Sequence, residues 1–172
     1  MANIIFVDEN DKIIGSGTRI EALEKGIIHR IVQTFLVNSK GELLIQKRAD
    51  TLASSAGKWD SSSAGHVDEG EEYIKAALRE AEEEIGVKGI LLKELIKIRT
   101  EENLEMGKQK RFSTLYMGLY DGEIKFNTDE VSEVMWIQPK ELEIWMARQP
   151  KDFANGFLIS FKEFFRLTQE TV

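Results

Sequence analysis

The chain has 172 residues, with 23 Lys and Arg against 30 Asp and Glu and a formal net charge of −7. This length suits a single domain, residues 1–172, that buries a hydrophobic core without crosslinks. The absence of cysteine excludes disulfides, a thiolate nucleophile and cysteine-based metal sites. The acidic balance argues against nucleic acid or an anionic membrane surface as the main partner, and it suits a protein that holds divalent cations on carboxylates.

The sequence has no signal for a membrane or a secretory route. No stretch approaches the roughly 20 apolar residues of a transmembrane helix. The first ten residues, MANIIFVDEN, contain a short apolar run without a basic flank, which is too short for a signal peptide. We therefore expect a cytoplasmic protein with no membrane partner.

The first part of the chain has the alternation and turn signals of β-hairpins. In chain order, the predicted elements are strands at 3–8 and 12–19, a short helical turn at 19–26, strands at 29–38 and 42–48, and an irregular loop with one short strand at 49–64. The first hairpin and the helical turn form a predicted N-terminal hairpin extension, residues 1–28.

Helices become prominent after this loop. A helical period begins near Glu71 and ends at Gly86, with one apolar face formed by Ile74, Ala77, Leu78, Ala81 and Ile85. The later predicted elements are strands at 90–99, 111–120 and 133–138 and helices at 140–148 and 153–168, the last with Phe153, Phe157, Phe161, Phe164 and Phe165 as packing residues. Because strands often follow each other directly, the pattern predicts an α/β (α+β) domain, in which helices pack on a central mixed sheet.

Three glutamates on the first long helix are the main candidates for chemistry. Glu80, Glu83 and Glu84 lie within an arc of about 100° beside the apolar face, where like charges repel each other. One interpretation is a solvated acidic face, and the other is a site for a divalent cation, which would reverse the repulsion. Arg79 precedes the cluster and can hold one carboxylate, and Gly65 in the preceding loop lets backbone groups approach a ligand.

Residues 65–87, GHVDEGEEYIKAALREAEEEIGV, resemble the Nudix box, G-x5-E-x7-R-E-U-x-E-E-x-G-U, in which U is apolar. The matching residues are Gly65, Glu71, Arg79, Glu80, Ala81, Glu83, Glu84, Gly86 and Val87. The order of strands and helices around the box is also similar to that of Nudix proteins. The resemblance implies a Nudix-type α/β/α sandwich with a central mixed β-sheet.

Nudix enzymes typically use Mg²⁺ or Mn²⁺ to hydrolyse a diphosphate linked to another moiety, often a nucleoside diphosphate. The resemblance implies that Glu80, Glu83 and Glu84 are metal ligands, joined by the carbonyl of Gly65, while Arg79 orients the glutamates. Such a metal ion neutralises phosphate charge and lowers the pKa of an attacking water. Glu71 is expected to stabilise the junction of loop and helix.

Two roles remain open at the level of the sequence. The proton acceptor for the water is Glu80 or a glutamate of a later loop, for which Glu130 and Glu133 are candidates. For both loop residues the alternative is a solvated turn. Candidate phosphate-binding cations are Lys47, Arg48, Lys58 and Arg111, and for each the alternative is ordinary surface charge. Trp59 is expected in the core rather than stacked on a base.

A second resemblance, carried by residues 29–49 and 58–71, is to the isopentenyl-diphosphate isomerases, which share the Nudix fold. These isomerases use a cysteine before the Gly-His pair, where this chain has Ala64, and a glutamate in the strand after the box helix, where residues 109–112 (QKRF) have none. His29 and His66 match isomerase metal ligands, but a third histidine is missing, and a structural role is the alternative for both. Protonation of an alkene needs an acid and a base across it, so the sequence favours hydrolysis.

Three hypotheses for function follow: a metal-dependent diphosphate hydrolase, an isomerase-like enzyme acting on prenyl diphosphates, and a non-catalytic nucleotide-binding module. The intact set of glutamates favours the first. The expected partner is a small-molecule diphosphate, whose leaving group is set by loops without a readable code. The N-terminal hairpin and the aromatic C-terminal helix could supply the face of a homodimer.

Overall fold

A mixed sheet of nine strands forms the centre of the computed structural model, which describes residues 2–170. In chain order the elements are β1 (Ile4–Val7), β2 (Ile13–Gly17), α1 (Arg19–Lys25), β3 (Ile28–Val37), β4 (Leu43–Arg48), β5 (Trp59–Asp60), β6 (Ser63–His66), α2 (Tyr73–Ile85), β7 (Leu92–Leu104), β8 (Gly107–Leu119), β9 (Val131–Ile137), α3 (Pro139–Arg148), a 3-10 turn (Pro150–Asp152) and α4 (Asn155–Gln169).

Strand β3 organises the sheet. Its sequence, IHRIVQTFLV, is rich in β-branched and aromatic residues and is buried on both faces over most of its length. One edge of β3 pairs in parallel with β8, from Ile28↔Lys110 to Val37↔Leu119. The other edge pairs antiparallel with β1 at its start, β6 at its middle and β4 at its end. The predicted central mixed sheet is therefore confirmed, and the N-terminal hairpin is part of it.

Helices cover the two faces of the sheet, as the predicted α/β/α sandwich requires. On one face, Ala81 and Ile85 of α2 pack with Leu36 and Leu44 of the sheet. On the other face, α3 and α4 cover a core centred on Phe35, whose ring stacks on that of Phe164 with centroids 4.7 Å apart. The predicted packing role of the C-terminal phenylalanines is confirmed.

The predicted burial of Trp59 and the predicted end of α2 are both found in the structure. Trp59 is buried against the edge of the Trp145 ring, with centroids 5.8 Å apart, so it belongs to the core as predicted. Helix α2 ends at Gly86, which has a φ of +70° and lies so close to the Lys125 carbonyl oxygen that a Cβ would sit 2.7 Å from it.

No helix within residues 2–170 is both long enough and apolar enough to span a membrane.

The strands differ from the sequence prediction in two places. The region 49–64 contributes two short strands, β5 and the start of β6, where one was predicted. The hairpin of β7 and β8 continues through 100–110, which carried no strand signal because the segment TEENLEMGKQK is polar on both faces. Cross-strand pairing holds this extension, since Glu101 lies opposite Lys110 and forms an ion pair with Lys108.

Replacement of Phe164 by alanine tests the packing of α4 on the sheet. Phe164 is 1% exposed, so its loss leaves a cavity and should lower the free energy of unfolding by about 3–5 kcal/mol. Denaturant unfolding measures this change. The control is Ile159→Ala, because Ile159 lies on the same helix but is 45% exposed. Equal effects of the two substitutions would contradict the packing of Phe164 between α4 and the sheet.

Candidate active site

The guanidinium of Arg79 ties the loop before α2 to the helix. Its Nε and Nη2 donate to the two carboxylate oxygens of Glu71, each at 2.9 Å, and Nη2 also donates to the carbonyl of His66 at 2.9 Å. Burial alone would raise the pKa of Glu71, but the hydrogen bonds from Arg79 and from the Asp68 backbone N–H, together with the charge of Arg79, outweigh burial and the pKa is lowered. Arg79 and Glu71 therefore join strand β6, the loop and helix α2 into one unit.

Glu80 lies between this unit and the sheet. Its Oε1 accepts from Arg79 Nη1 at 2.6 Å, and the residue is only 8% exposed. A Cβ at Gly65 would stand 2.0 Å from the same oxygen, so the carboxylate can approach β6 only because residue 65 is glycine. Burial raises the pKa of Glu80 to about 7 against the opposing effect of Arg79, and Glu83 and Glu130 raise it further.

The other two glutamates of the stripe point in different directions. Glu83 is exposed and reaches Arg79 Nη1 at 3.3 Å. Glu84 is buried, and its Oε2 accepts from Gln46 Nε2 at 2.5 Å and from the Ala64 backbone N–H at 3.1 Å. Burial and the nearby Glu80 raise the pKa of Glu84. The predicted stripe thus divides into a pair of glutamates bound to Arg79, Glu80 and Glu83, and an inner carboxylate, Glu84, bound to Gln46.

The donor set is suited to a hard divalent cation. The carboxylates of Glu80, Glu83 and Glu84 and the backbone of Gly65 supply the oxygen ligands that Mg²⁺ and Mn²⁺ prefer. Within residues 2–170, no three His, Cys, Asp or Glu side chains form a preformed metal-ligand cluster. Since Glu80 is bound by Arg79 and Glu84 by Gln46 and Ala64, a metal ion would require these carboxylates to exchange hydrogen bonds for metal contacts.

A cavity of about 690 Å³ lies on the face of the sheet that α4 covers, and Gly65 lines it. The cationic lining residues are Arg19, Arg48, Lys58 and Arg111, and the acidic ones are Asp60, Glu102 and Glu105. Three of the four predicted phosphate-binding cations therefore face one cavity. Lys47, which lies opposite Glu133 in the pairing of β4 with β9, is not among its lining residues.

The two loop glutamates differ in position. Glu130 accepts from Asn127 Nδ2 at 3.1 Å and lies close enough to Glu80 to raise its pKa. Glu133 is exposed on β9 opposite Lys47. Of the two predicted candidates for a proton acceptor, the structure brings only Glu130 toward the glutamates of α2.

Sequence reasoning missed several residues that line the cavity or support the site. Arg19, at the start of α1, donates through Nη2 to Ser54 Oγ at 2.9 Å, and Gln46 holds the inner glutamate. The first residues of α4, 155–157, and the extended part of the β7–β8 hairpin also line the cavity. No local motif marks these residues, because tertiary packing alone brings them to the site.

The two histidines form a buried pair beside the cavity. The rings of His29 and His66 stack with centroids 5.4 Å apart, and Arg111 is the neighbour of His29 on β8. Burial lowers the pKa of His29 to about 4, and the positive charges of Arg111 and Arg19 act in the same direction. Burial likewise lowers the pKa of His66. Both rings are therefore neutral at neutral pH and lie beside arginine rather than a carboxylate.

The lowered pKa of His29 predicts a loss of stability in acid. Because the unfolded chain binds a proton near pH 6.5 and the folded chain only near pH 4, this contribution is complete above pH 6.5 and disappears as the pH falls toward 4. The shift corresponds to roughly 3 kcal/mol. Denaturant unfolding of the wild type and of His29→Gln, each between about pH 7.5 and about pH 4.5, measures the contribution as the difference between the two curves.

The difference between the curves is the required quantity, because other groups also titrate in this range. His66 destabilises the fold in acid as His29 does, whereas the raised pKa values of Glu80 and Glu84 act in the opposite direction. Parallel curves for the wild type and His29→Gln would contradict the prediction.

Comparisons with known proteins identify the family of this chain. The chain is 32% identical over 162 residues to an isopentenyl-diphosphate Delta-isomerase of Serratia proteamaculans, covering 93% of this chain and 89% of the relative. It is 34% identical over 145 residues to an uncharacterized Nudix hydrolase of Pseudomonas aeruginosa, covering 84% and 83%. The crystal structure of DR0079 from Deinococcus radiodurans matches with a TM-score of 0.72 and 27% identity over 85% of this chain and 89% of that one. The family model of the NUDIX domain matches residues 28–156, and the chain belongs to the Nudix family.

Proposed function

We propose that the protein is a hydrolase that uses Mg²⁺ or Mn²⁺ to cleave a diphosphate linked to another moiety. The observation that carries the proposal is the complete set of box side chains around Arg79, with Gly65 shared between Glu80 and a cavity rich in cations. Hydrolysis of a diphosphate needs a site for a divalent cation and a site for phosphate oxygens next to each other. The carboxylates of α2 and the cations of the cavity, which lie on the two sides of β6, support the assignment of these two sites.

The residues of α2 have separate roles in this proposal. Glu80, Glu83 and Glu84, with the Gly65 carbonyl, hold the metal ion, which when bound neutralises phosphate charge and acidifies a water molecule. Arg79 is a positioning residue, because its guanidinium is bound to Glu71, Glu80 and the backbone of the loop.

The proton of the attacking water needs an acceptor with a suitable pKa. Glu80 has a pKa of about 7 before any cation binds, which is close to the range that favours general-base catalysis. A bound cation would lower this raised pKa and keep the carboxylate ionised. Glu130, on the loop before β9, is the second candidate because it lies near Glu80.

The cavity supplies the cations for the diphosphate. Arg48 is fixed by Asp60 at 3.6 Å and by the Ser54 carbonyl at 3.2 Å, so its guanidinium has a defined position at the cavity wall. Lys58 lies on the same wall. We assign the oxygens of the scissile diphosphate to Arg48 and Lys58.

Replacement of Glu83 by glutamine should lower metal-dependent hydrolysis by about 10²-fold or more. The reason is that a neutral amide is a weaker ligand, and the stabilisation that a metal ion supplies in the transition state is several kcal/mol. The assay is a panel of diphosphate metabolites incubated with Mg²⁺, with Mn²⁺ or with chelator, with products identified by mass spectrometry.

The matched control is Glu82→Gln, since Glu82 precedes Glu83 but points away and pairs with Lys88 at 2.8 Å. This control should retain full activity. Equal activity of Glu83→Gln and the wild type would refute the proposal. Tight nucleotide binding in calorimetry without turnover of any compound would favour a non-catalytic binding module instead.

The names of several relatives favour a second candidate, an isopentenyl-diphosphate isomerase-like activity. The residues of this chain argue against it. Ala64 stands where the isomerases use cysteine, and Gln109 and Arg111 occupy the strand where they use glutamate, so no acid–base pair spans the position of an alkene. Proton exchange into isopentenyl diphosphate, followed by NMR, decides between the two, and we expect no exchange over hours at high enzyme concentration.

A further inference from the structure

The N-terminus of α4 opens into the cavity without a side-chain cap. Residues 154–157 line the cavity, and Ala154, the N-cap residue, has no side chain that could bind the free N–H groups. The first turn of a helix has unpaired N–H donors and a partial positive charge, which favour an anion. The first turn of α4 also contains no acidic residue that would supply this negative charge.

Arg111 adds a full positive charge at the same place. A Cβ at Gly156 would lie only 3.1 Å from Arg111 Nη2, so the guanidinium touches the first turn of α4. The Nε of Arg111 is buried and has no hydrogen-bond partner. Burial lowers the pKa of Arg111, Glu102 and Asp60 oppose this, and Arg19 and Arg48 lower it further. A cation beside a helix N-terminus is destabilising unless an anion lies between them.

Arg19 is a second cation with an unsatisfied donor, and its positive charge lies near those of both Arg111 and Arg48. Its Nη2 donates to Ser54 Oγ, but its Nε is buried without a partner. The acidic residues nearby have other partners, because Asp60 pairs with Arg48 and Glu102 accepts from Asn155 Nδ2 at 2.6 Å. The third acidic residue, Glu105, is exposed at the tip of the β7–β8 hairpin. Buried donors without partners are uncommon and call for a ligand.

We propose that the first turn of α4 and Arg111, with Arg19 beside them, form a binding site for an oxyanion, a phosphate or a carboxylate, that the substrate carries in addition to its scissile diphosphate. The proposal rests on the hydrolase function proposed above and defines its substrate class. Gly65, beside Glu80, and Gly156, beside Arg111, line the same cavity, whose volume of about 690 Å³ is that of a site for a small metabolite. One molecule can therefore reach both sites.

The two stacked histidines lie next to this anion site. His29 and His66 lie behind Arg111, and the Nε2 atoms of both are buried without a partner. The neighbouring arginines make this place unsuitable for a metal cation and suitable for an anion. The group that contacts Arg111 is therefore expected to carry a negative charge.

Binding of inorganic phosphate in the presence of chelator tests the site independently of hydrolysis. Phosphate should shift the NMR signals of the imidazoles of His29 and His66, the two histidines of the chain. Arg111→Gln should weaken this binding by about tenfold or more, because a charge-assisted hydrogen bond in a buried site is lost. Where Arg111→Gln lowers the thermal midpoint, Arg19→Gln provides the same test from a different element.

The matched control is Lys110→Gln, which removes the same charge from the neighbouring residue of β8. Residues 110 and 111 point to opposite faces of the sheet, so this variant should bind phosphate as the wild type does. Weakening by Arg48→Gln together with unchanged binding in Arg111→Gln and Arg19→Gln would overturn the proposal, because phosphate would then occupy the diphosphate site alone.

Hydrolysis of matched diphosphates identifies the source of the oxyanion. Three compounds share one scaffold and differ at the far end, which carries a phosphate, a carboxylate or a neutral hydroxyl. Arg111→Gln should raise KM for one of the charged compounds by about tenfold or more relative to its effect on KM for the neutral one. Equal effects on all three would overturn the proposal. Phosphate binding through Arg111 without cleavage of any diphosphate would refute the proposed hydrolase and the assignment of the oxyanion to its substrate, while the anion site itself would stand.

Discussion

The candidate site depends on one guanidinium. Arg79 binds both oxygens of Glu71, one oxygen of Glu80 and the carbonyl of His66, so strand β6, the loop after it and helix α2 cannot move independently. Planar, bidentate recognition of a carboxylate is a property of arginine that lysine does not share. Glu80 keeps its position relative to the sheet because this one side chain connects all three segments, whereas Glu84 is held by Gln46 and the Ala64 backbone N–H.

The sheet separates two sets of opposite charges that would otherwise pair with each other. Carboxylates of α2 lie on one side of β6, and the arginines and lysine of the cavity lie on the other. The two sets meet at Gly65, which lines the cavity and, because it has no Cβ, leaves room for the Glu80 carboxylate. In the proposed reaction, the carboxylates would hold the substrate diphosphate through a metal ion and the cations of the cavity would hold it directly. The fold therefore places carboxylates and cations within the thickness of one strand.

Relatives named as an isomerase and as a Nudix hydrolase both match this chain over most of its length, and residues of the site rather than the fold set the reaction. In this chain the relevant residues are Ala64, Gln109 and Arg111. Arg111 next to His29 makes the floor of the cavity cationic, and the histidines stay neutral because burial and the arginines lower their pKa values. A change of a few side chains thus alters the ligand that the cavity can accept without changing the sheet.

The sequence by itself determined the elements with strong periodicity: β3, β4, α2 with its end at Gly86, and the phenylalanine face of α4. It also determined the local constellation of Arg79, Glu80 and Glu83, because a helix places residues at fixed angles. The extended β7–β8 hairpin had no such signal, since its strands are held by backbone pairing and the cross-strand ion pair of Glu101 with Lys108 rather than by alternation of apolar residues. The direction of Glu84 toward Gln46, the convergence of Arg19 and Arg111 on the first turn of α4, and the stacking of two distant histidines were decided only by tertiary structure. These contacts join residues far apart in the chain, and no local pattern records which faces of the elements will meet.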